Sequence, residues 1–263
     1  FFDVKTSNKV IRLKNKKPNL IICRNVVPHI ENIDQVMRGI KNLLSDNGIG
    51  VIEFHNAANL INKDHYDYVY HEHIFYFTLN SLTRILKRYN LFAFDCFNSP
   101  VSGGSYVVIF KKKKIKKTKN FTTIIHKEKS QKLDSLSRWK LLKNKVYKHK
   151  KGLIKLLQKY DNSKILVGYG ASARSSTLLN YLELNNEKIK KVFDISPYKK
   201  NYYTPGSHIK INIPTKKSIS NTDVLILLAW NFKKEILNFL KKLNYKNDII
   251  EPLPKIKRYK LDK

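Results

Sequence analysis

Tyr70, His71, Glu72 and His73 stand in a row, and Gly103, Gly104 and Ser105 form a second short polar group further along. An acid–base group works best when it titrates near the operating pH, and histidine starts there. A glutamate beside it can orient an imidazole or share its proton. The cluster lies between Asp67-Tyr68-Val69 and Ile74-Phe75-Tyr76-Phe77, so a polar group is wedged between aromatic segments. This reads as an active-site loop. The plainer alternatives are a packed or partly exposed histidine, a hairpin loop at Gly103-Gly104, and core roles for Tyr76 and Phe77. Two histidines at i, i+2 diverge on a strand and sit poorly on a helix. Acid–base work is therefore preferred to metal ligation, and no metal is assigned. His29 follows Asn25-Val26-Val27-Pro28, just beyond the carboxyl end of an apolar run. Open α/β sheets bind ligands at such ends, although His29 could equally cap the helix starting near Ile33.

A second group lies in the later half. Lys164 to Val167 reads as a strand running into Gly168-Tyr169-Gly170-Ala171-Ser172-Ala173-Arg174, where a helix begins, and Asp194 ends the next strand. Glycines let backbone approach a phosphate at a helix N-terminus, and Arg174 could meet a diphosphate there. The third glycine of the dinucleotide fingerprint is missing. A tight βα turn needing glycine at positive φ fits the same residues. Trp230 and Asn231 follow a further strand, Val224 to Leu228.

These groups need a scaffold. Leu20 to Cys23 and Ile49 to Phe54 read as buried strands, with a helix between them on Ile33, Val36, Met37, Ile40, Leu43 and Leu44. Asp46-Asn47-Gly48 supplies the stop. Asn80-Ser81 can cap a helix carrying Leu82, Ile85 and Leu86. Leu91 to Phe97 and Ser105 to Phe110 complete an α/β pattern that ends in an antiparallel pair. From about Thr118 to Tyr160 the chain is lysine-rich and helical, in one or two helices. The second α/β unit closes with a helix on Ile236, Phe239, Leu240 and Leu243 and a strand at Asp248 to Ile250.

The 263 residues suit one large or two ordinary domains, and 42% hydrophobic content suffices for a core. No apolar run reaches the roughly 18 residues of a membrane span, and no secretory signal opens the chain. Cys23 and Cys96 stand alone, without the spacing of a zinc or disulfide framework. A cytoplasmic protein is expected. The formal charge of +32 invites a nucleic-acid reading. Lysine dominates arginine and is spread along the chain, with Asn, Ile and Tyr also abundant. AT-rich codons give that mix, so no specific nucleic-acid partner is expected.

Taken together, the words from Asn25-Val26-Val27-Pro28-His29 through Tyr70-His71-Glu72-His73 to Gly103-Gly104-Ser105 resemble the sugar C-methyltransferases. These S-adenosylmethionine-dependent enzymes add a methyl group to a ring carbon of nucleotide-linked keto sugars. The later part resembles the same family's C-terminal domain, in Gly168 to Ala171, Asp194, Tyr203 to Ile209, Leu227 to Phe232 and Pro252-Leu253-Pro254. The resemblance implies an α/β protein: part of a class I, Rossmann-like methyltransferase sheet, then a second Rossmann-like domain. It divides the chain into a methyltransferase part (1–117), a helical linker (118–160) and a nucleotide-sugar-binding domain (161–263). It implies catalysis by His73, Tyr70, Glu72 and His29, with His73 as base, Tyr70 and His29 on the keto oxygen and Glu72 orienting. Arg24 and Asn25 become candidate cofactor contacts. Gly103, Gly104, Ser105, Gly168, Tyr169, Gly170, Ala171, Arg174, Asp194, Trp230 and Asn231 become candidate substrate contacts. Family members begin with a cysteine-rich zinc segment, a glycine-rich cofactor loop and a ribose acid, none of which is in this sequence. The first residue, Phe1, and a start near the fourth strand lead us to expect an N-terminally truncated chain, with zinc only in the missing segment. Ser175 stands where the family often has glycine. The expected partner is a nucleotide-linked sugar, with no membrane contact. A non-catalytic nucleotide-sugar or polyanion binder, and an NAD-type oxidoreductase, are the alternatives.

Overall fold

Apolar runs alternating with amphipathic stretches dictate sheets covered by helices, and a computed structural model of the chain describes residues 2–161 and 163–261 in those terms. Nineteen regular elements follow in order among them. They are α1 (Val4–Lys14), β1 (Leu20–Arg24), α2 (Ile33–Leu43), β2 (Ile49–His55), α3 (Ala57–Asn62), α4 (Leu79–Arg88), β3 (Phe92–Ser99), β4 (Ser105–Lys111), α5 (Lys119–Ser130), α6 (Leu136–Leu157), β5 (Leu166–Tyr169), α7 (Ala173–Tyr181), β6 (Lys191–Phe193), β7 (Ile211–Asn212), α8 (Lys216–Ser220), β8 (Val224–Leu227), α9 (Lys233–Lys242), β9 (Asp248–Glu251) and β10 (Lys257–Tyr259). The chain forms two compact units. The first comprises Phe1–Asn62 and His71–Lys140, the second Lys63–Tyr70 and Leu141–Lys263.

In the first unit the sheet runs β1-β2-β4-β3. β1 and β2 are parallel, with α2 as their crossover, while β4 pairs antiparallel to both β2 and β3. Val36, Met37, Ile40 and Leu43 of α2, with Leu44 just after it, are all buried, which is what a 3.6-residue apolar period on a sheet requires. Gly50 lies opposite Phe110 across β2 and β4, and a Cβ there would come within 2.0 Å of the Phe110 ring. Glycine thus makes room for a large ring in the core.

The caps differ from the sequence reading. Asn32, not His29, caps α2, accepting from the Gln35 amide at 3.2 Å. Thr78, not Asn80 or Ser81, caps α4. Its hydroxyl accepts from the Ser81 amide and the Ser81 hydroxyl accepts from the Thr78 amide, each at 3.0 Å, a reciprocal capping box. Two further donors at that terminus, the Leu79 and Asn80 amides, are taken by the Glu128 carboxylate of α5 at 2.9 and 3.0 Å.

In the second unit the order is β10-β9-β8-β5-β6-β7, parallel throughout except for β10. β5, β8 and β9 are buried along their whole length, as expected for a parallel sheet covered on both faces. Alternate residues feed two separate cores. Leu166, Val224 and Ile226 pack with Leu153, Leu157, Leu178 and Leu179, whereas Val167, Leu225 and Leu227 pack with Ile236 and Leu240. The strands wind outward from β5 in both directions, so the topological switch point falls between β5 and β8. No described helix is long and apolar enough to cross a membrane.

Candidate active site

The carboxyl ends of β1 and β2 and the amino end of β4 meet at one edge of the first sheet, where His55 pairs with Ser105. Past β1, Asn25 adopts a left-handed φ of 49° and its amide donates to the Glu53 carbonyl at 2.8 Å. Arg24 donates through Nε to the buried Glu53 carboxylate at 2.7 Å. A single 3-10 turn, Val27–His29, follows with Val27 and Pro28 buried. The Pro28 carbonyl accepts from the amides of Ile74 and Phe75 at 2.9 and 3.2 Å, which lays the loop after His73 against this turn.

Two of the predicted histidines meet here. The rings of His29 and His73 lie 4.7 Å apart between centroids, tilted by 50°, and Tyr76 stands edge-on to His73 at 6.3 Å. His73 is buried, whereas the side chains of His71 and Glu72 are exposed. Glu72 acts through its backbone: His29 Nδ1 lies 2.9 Å from the Glu72 carbonyl. A carbonyl only accepts, so Nδ1 carries the proton, and a neutral His29 is left with Nε2 as a lone-pair acceptor. Tyr70 groups with the second unit, its ring 6.2 Å from that of Tyr68.

Gly103 and Gly104 both have positive φ, 86° and 125°. The Gly104 carbonyl accepts from Asn59 Nδ2 at 3.0 Å and Asn56 Nδ2 at 3.3 Å, and a Cβ on Gly104 would come within 2.2 Å of Asn59 Nδ2. Ser105 is fully buried and donates to the Val101 carbonyl at 3.1 Å. Glu53, His55, Asn56 and Asn59 were not singled out from sequence, although the first three end a recognisable strand. A rule that inspects every polar residue at a strand's carboxyl end would have found them.

In the second unit Gly168 and Tyr169 are strand residues rather than turn residues. Tyr169 is buried against Phe193 and Phe239, and burial pushes its hydroxyl up to about 12. Gly170 makes the turn at φ 101°, where a Cβ would meet Ala229 Cβ at 2.2 Å and its backbone nitrogen at 2.9 Å. Asp194 accepts from the Ala171 and Ser196 amides at 2.8 and 2.9 Å and from Lys199 at 3.2 Å. The acid that a dinucleotide reading would give to a ribose thus closes the turn on itself. Arg174 is buried and donates through Nε to Asp67 at 2.8 Å; Trp230 donates to the same oxygen at 2.9 Å. Asn231 lies in the short turn Trp230–Phe232. Ser175 is fully buried, its hydroxyl 3.0 Å from that of Ser172. Among the described residues, no group of His, Cys, Asp or Glu suited to a metal ion is found.

A mixed α/β sheet with a histidine pair at its carboxyl edge, followed in the chain by a doubly wound second sheet, defines an α/β protein of two units. The chain belongs to the family described as C-methyltransferase C-terminal domain, whose model matches residues 100–254. A methyltransferase domain model matches residues 3–92. The chain is 27% identical over 239 residues to the C-methyltransferase NovU of Streptomyces niveus, an alignment covering 89% of this chain and 57% of that protein. The chain therefore spans little more than half the length of that curated relative.

Proposed function

We propose that this chain carries the deprotonating site of an S-adenosylmethionine-dependent C-methyltransferase acting on a nucleotide-linked keto-deoxysugar. The observation that supports it most is the His29–His73 pair at 4.7 Å, with His29 oriented by the Glu72 carbonyl. A C–H beside a ketone is acidic enough for a positioned base. A neutral ring can take the proton from the carbon, and a ring N–H can donate to the keto oxygen and stabilise the enolate. His73, buried beside His29 and Tyr76, is the base in this reading. S-adenosylmethionine, when bound, supplies the electrophilic methyl carbon. Arg24 and Asn25 lie where a cofactor could be touched, but Arg24 and the Asn25 amide are committed to Glu53, so they fit a flanking role rather than a full cradle. Two free cysteines fit a reducing compartment, and a cytoplasmic location belongs to this proposal.

The test is His73→Asn in the full-length gene product, with steady-state rates on a 4-keto nucleotide sugar. Loss of a general base should lower kcat by roughly 10²–10⁴ while nucleotide-sugar binding persists. Activity within a few-fold of wild type would remove His73 from the base role.

A further inference from the structure

Between Asn62 and His71 the chain leaves the first unit, and Lys63–Tyr70 groups with the second. Four consecutive residues of this strap, His65 to Tyr68, are buried. The Asp67 carboxylate accepts from Arg174 Nε at 2.8 Å and from Trp230 Nε1 at 2.9 Å. The Arg174 guanidinium lies 4.6 Å from the Tyr68 ring and 4.7 Å from that of Trp230. The His65 ring lies tilted by 56° against that of Trp230, 4.7 Å between centroids. Tyr66 reaches His149 Nδ1 at 2.9 Å, and His149 Nε2 lies 2.7 Å from the Pro252 carbonyl. Since that carbonyl can only accept, Nε2 carries the proton and the Tyr66 hydroxyl donates to Nδ1.

The location of these contacts narrows their meaning. Arg174 opens the helix after β5, and Trp230 follows β8, so both flank the switch point of the second sheet. That crevice is where doubly wound sheets take ligands. Here the arginine that could have met a diphosphate holds a carboxylate of the same chain. A burial this complete, around a charge pair with aromatic faces on either side, is costly to break from one partner alone. The strap ends at Tyr70, and the next residues are His71 to His73. The far end of that loop is tied by the Ile74 and Phe75 amides to the Pro28 carbonyl.

We infer that the Asp67–Arg174 ion pair seats the Lys63–Tyr70 strap in the switch-point crevice of the second sheet, and that the crevice takes this acidic strap in place of a substrate diphosphate. The diphosphate half of this inference rests on the C-methyltransferase reading; the seating of the strap does not.

The decisive variant is the double change Asp67→Asn with Arg174→Met, which removes both charges and leaves an apolar stem between Tyr68 and Trp230. Hydrogen exchange on the full chain is the readout independent of activity. Exchange over residues 63–70 should rise about tenfold or more, while β5 and β8 stay protected, because a seated strap opens locally. Unchanged exchange over 63–70 would overturn the inference, and so would an equal rise in β5 and β8, which would make the pair an ordinary part of the core. In the full-length gene product the same variant should leave KM for the nucleotide sugar within about threefold of wild type, because the chain itself and not a diphosphate engages Arg174. A rise in KM with kcat unchanged would place Arg174 on the substrate and overturn the inference. If the wild-type protein transfers no methyl group, the enzyme reading fails alone, and the exchange result still decides the strap.

Discussion

At the scale of single residues, the same residue type serves opposite ends. His73 lies in a loop with ring neighbours at an open sheet edge, whereas His65 is sealed against Trp230. Burial, then the nearby charges of Arg174 and Lys63, pushes His65 down from 6.5 to about 3. His65 therefore stays neutral in the folded protein but takes a proton in the unfolded chain near the ordinary histidine value. The folded pKa lies below the unfolded one, so this contribution to stability is complete above about 6.5 and is lost progressively as pH falls toward about 3. We expect His65→Asn to be less stable than wild type at neutral pH, with the gap narrowing between pH 7 and pH 5. Urea unfolding of both proteins at several pH values measures it, and a gap independent of pH would contradict the buried neutral state. Of the site residues, the histidines were legible because their type and crowding are visible in a string. The tautomer of His29 was not, because it depends on a backbone carbonyl forty-three residues away.

Elements show a similar division. Strands β1, β2, β5 and β8 and helices α2 and α9 carry strong apolar periods, and the sequence reading located each of them. Helices α1, α3 and α8, the two-residue β7 and the edge strand β10 were missed. α1 is mostly polar and buries only Ser7, β7 is too short to show a period, and β10 has an exposed lysine and arginine on an edge. The lysine-rich stretch read as a linker contains α5 and α6, and α5 groups wholly with the first unit. Glu128 of α5 is 3% exposed and serves as an external cap on α4, accepting two amides there. Glu128→Ala should leave both donors without that partner and lower stability by about 2 kcal/mol or more, taking about 1–3 kcal/mol for a buried unsatisfied group. The midpoint of urea unfolding should shift with the m-value unchanged. A shift worth less than about 0.5 kcal/mol would mean that water replaces the carboxylate.

For the whole molecule, the charge of +32 is the feature most open to misreading. Several cations are already committed: Arg24 to Glu53, Arg174 to Asp67, Lys233 to Glu251 and Arg258 to Asp248. The excess lysine is spread over both units, and the strap's Tyr66 and Tyr68 are buried. We expect labelled DNA to bind weakly and without sequence preference at low salt, and to be largely released at physiological salt, because counterion release would be its main driving force. Fluorescence anisotropy across a salt series measures this, and salt-resistant, sequence-dependent binding would promote a nucleic-acid function instead. By itself the sequence determined the α/β class, the order of the major strands and helices, and the clusters at Tyr70 to His73 and Gly168 to Arg174, because apolar period and residue type are local properties. Only the tertiary structure decided what those clusters touch. It brought His29 to His73, turned Glu72 outward, spent Asp194 on its own turn and gave Arg174 to Asp67 across more than a hundred residues. Such partnerships depend on how far apart in sequence a fold can bring two side chains, and no local pattern of types encodes that distance.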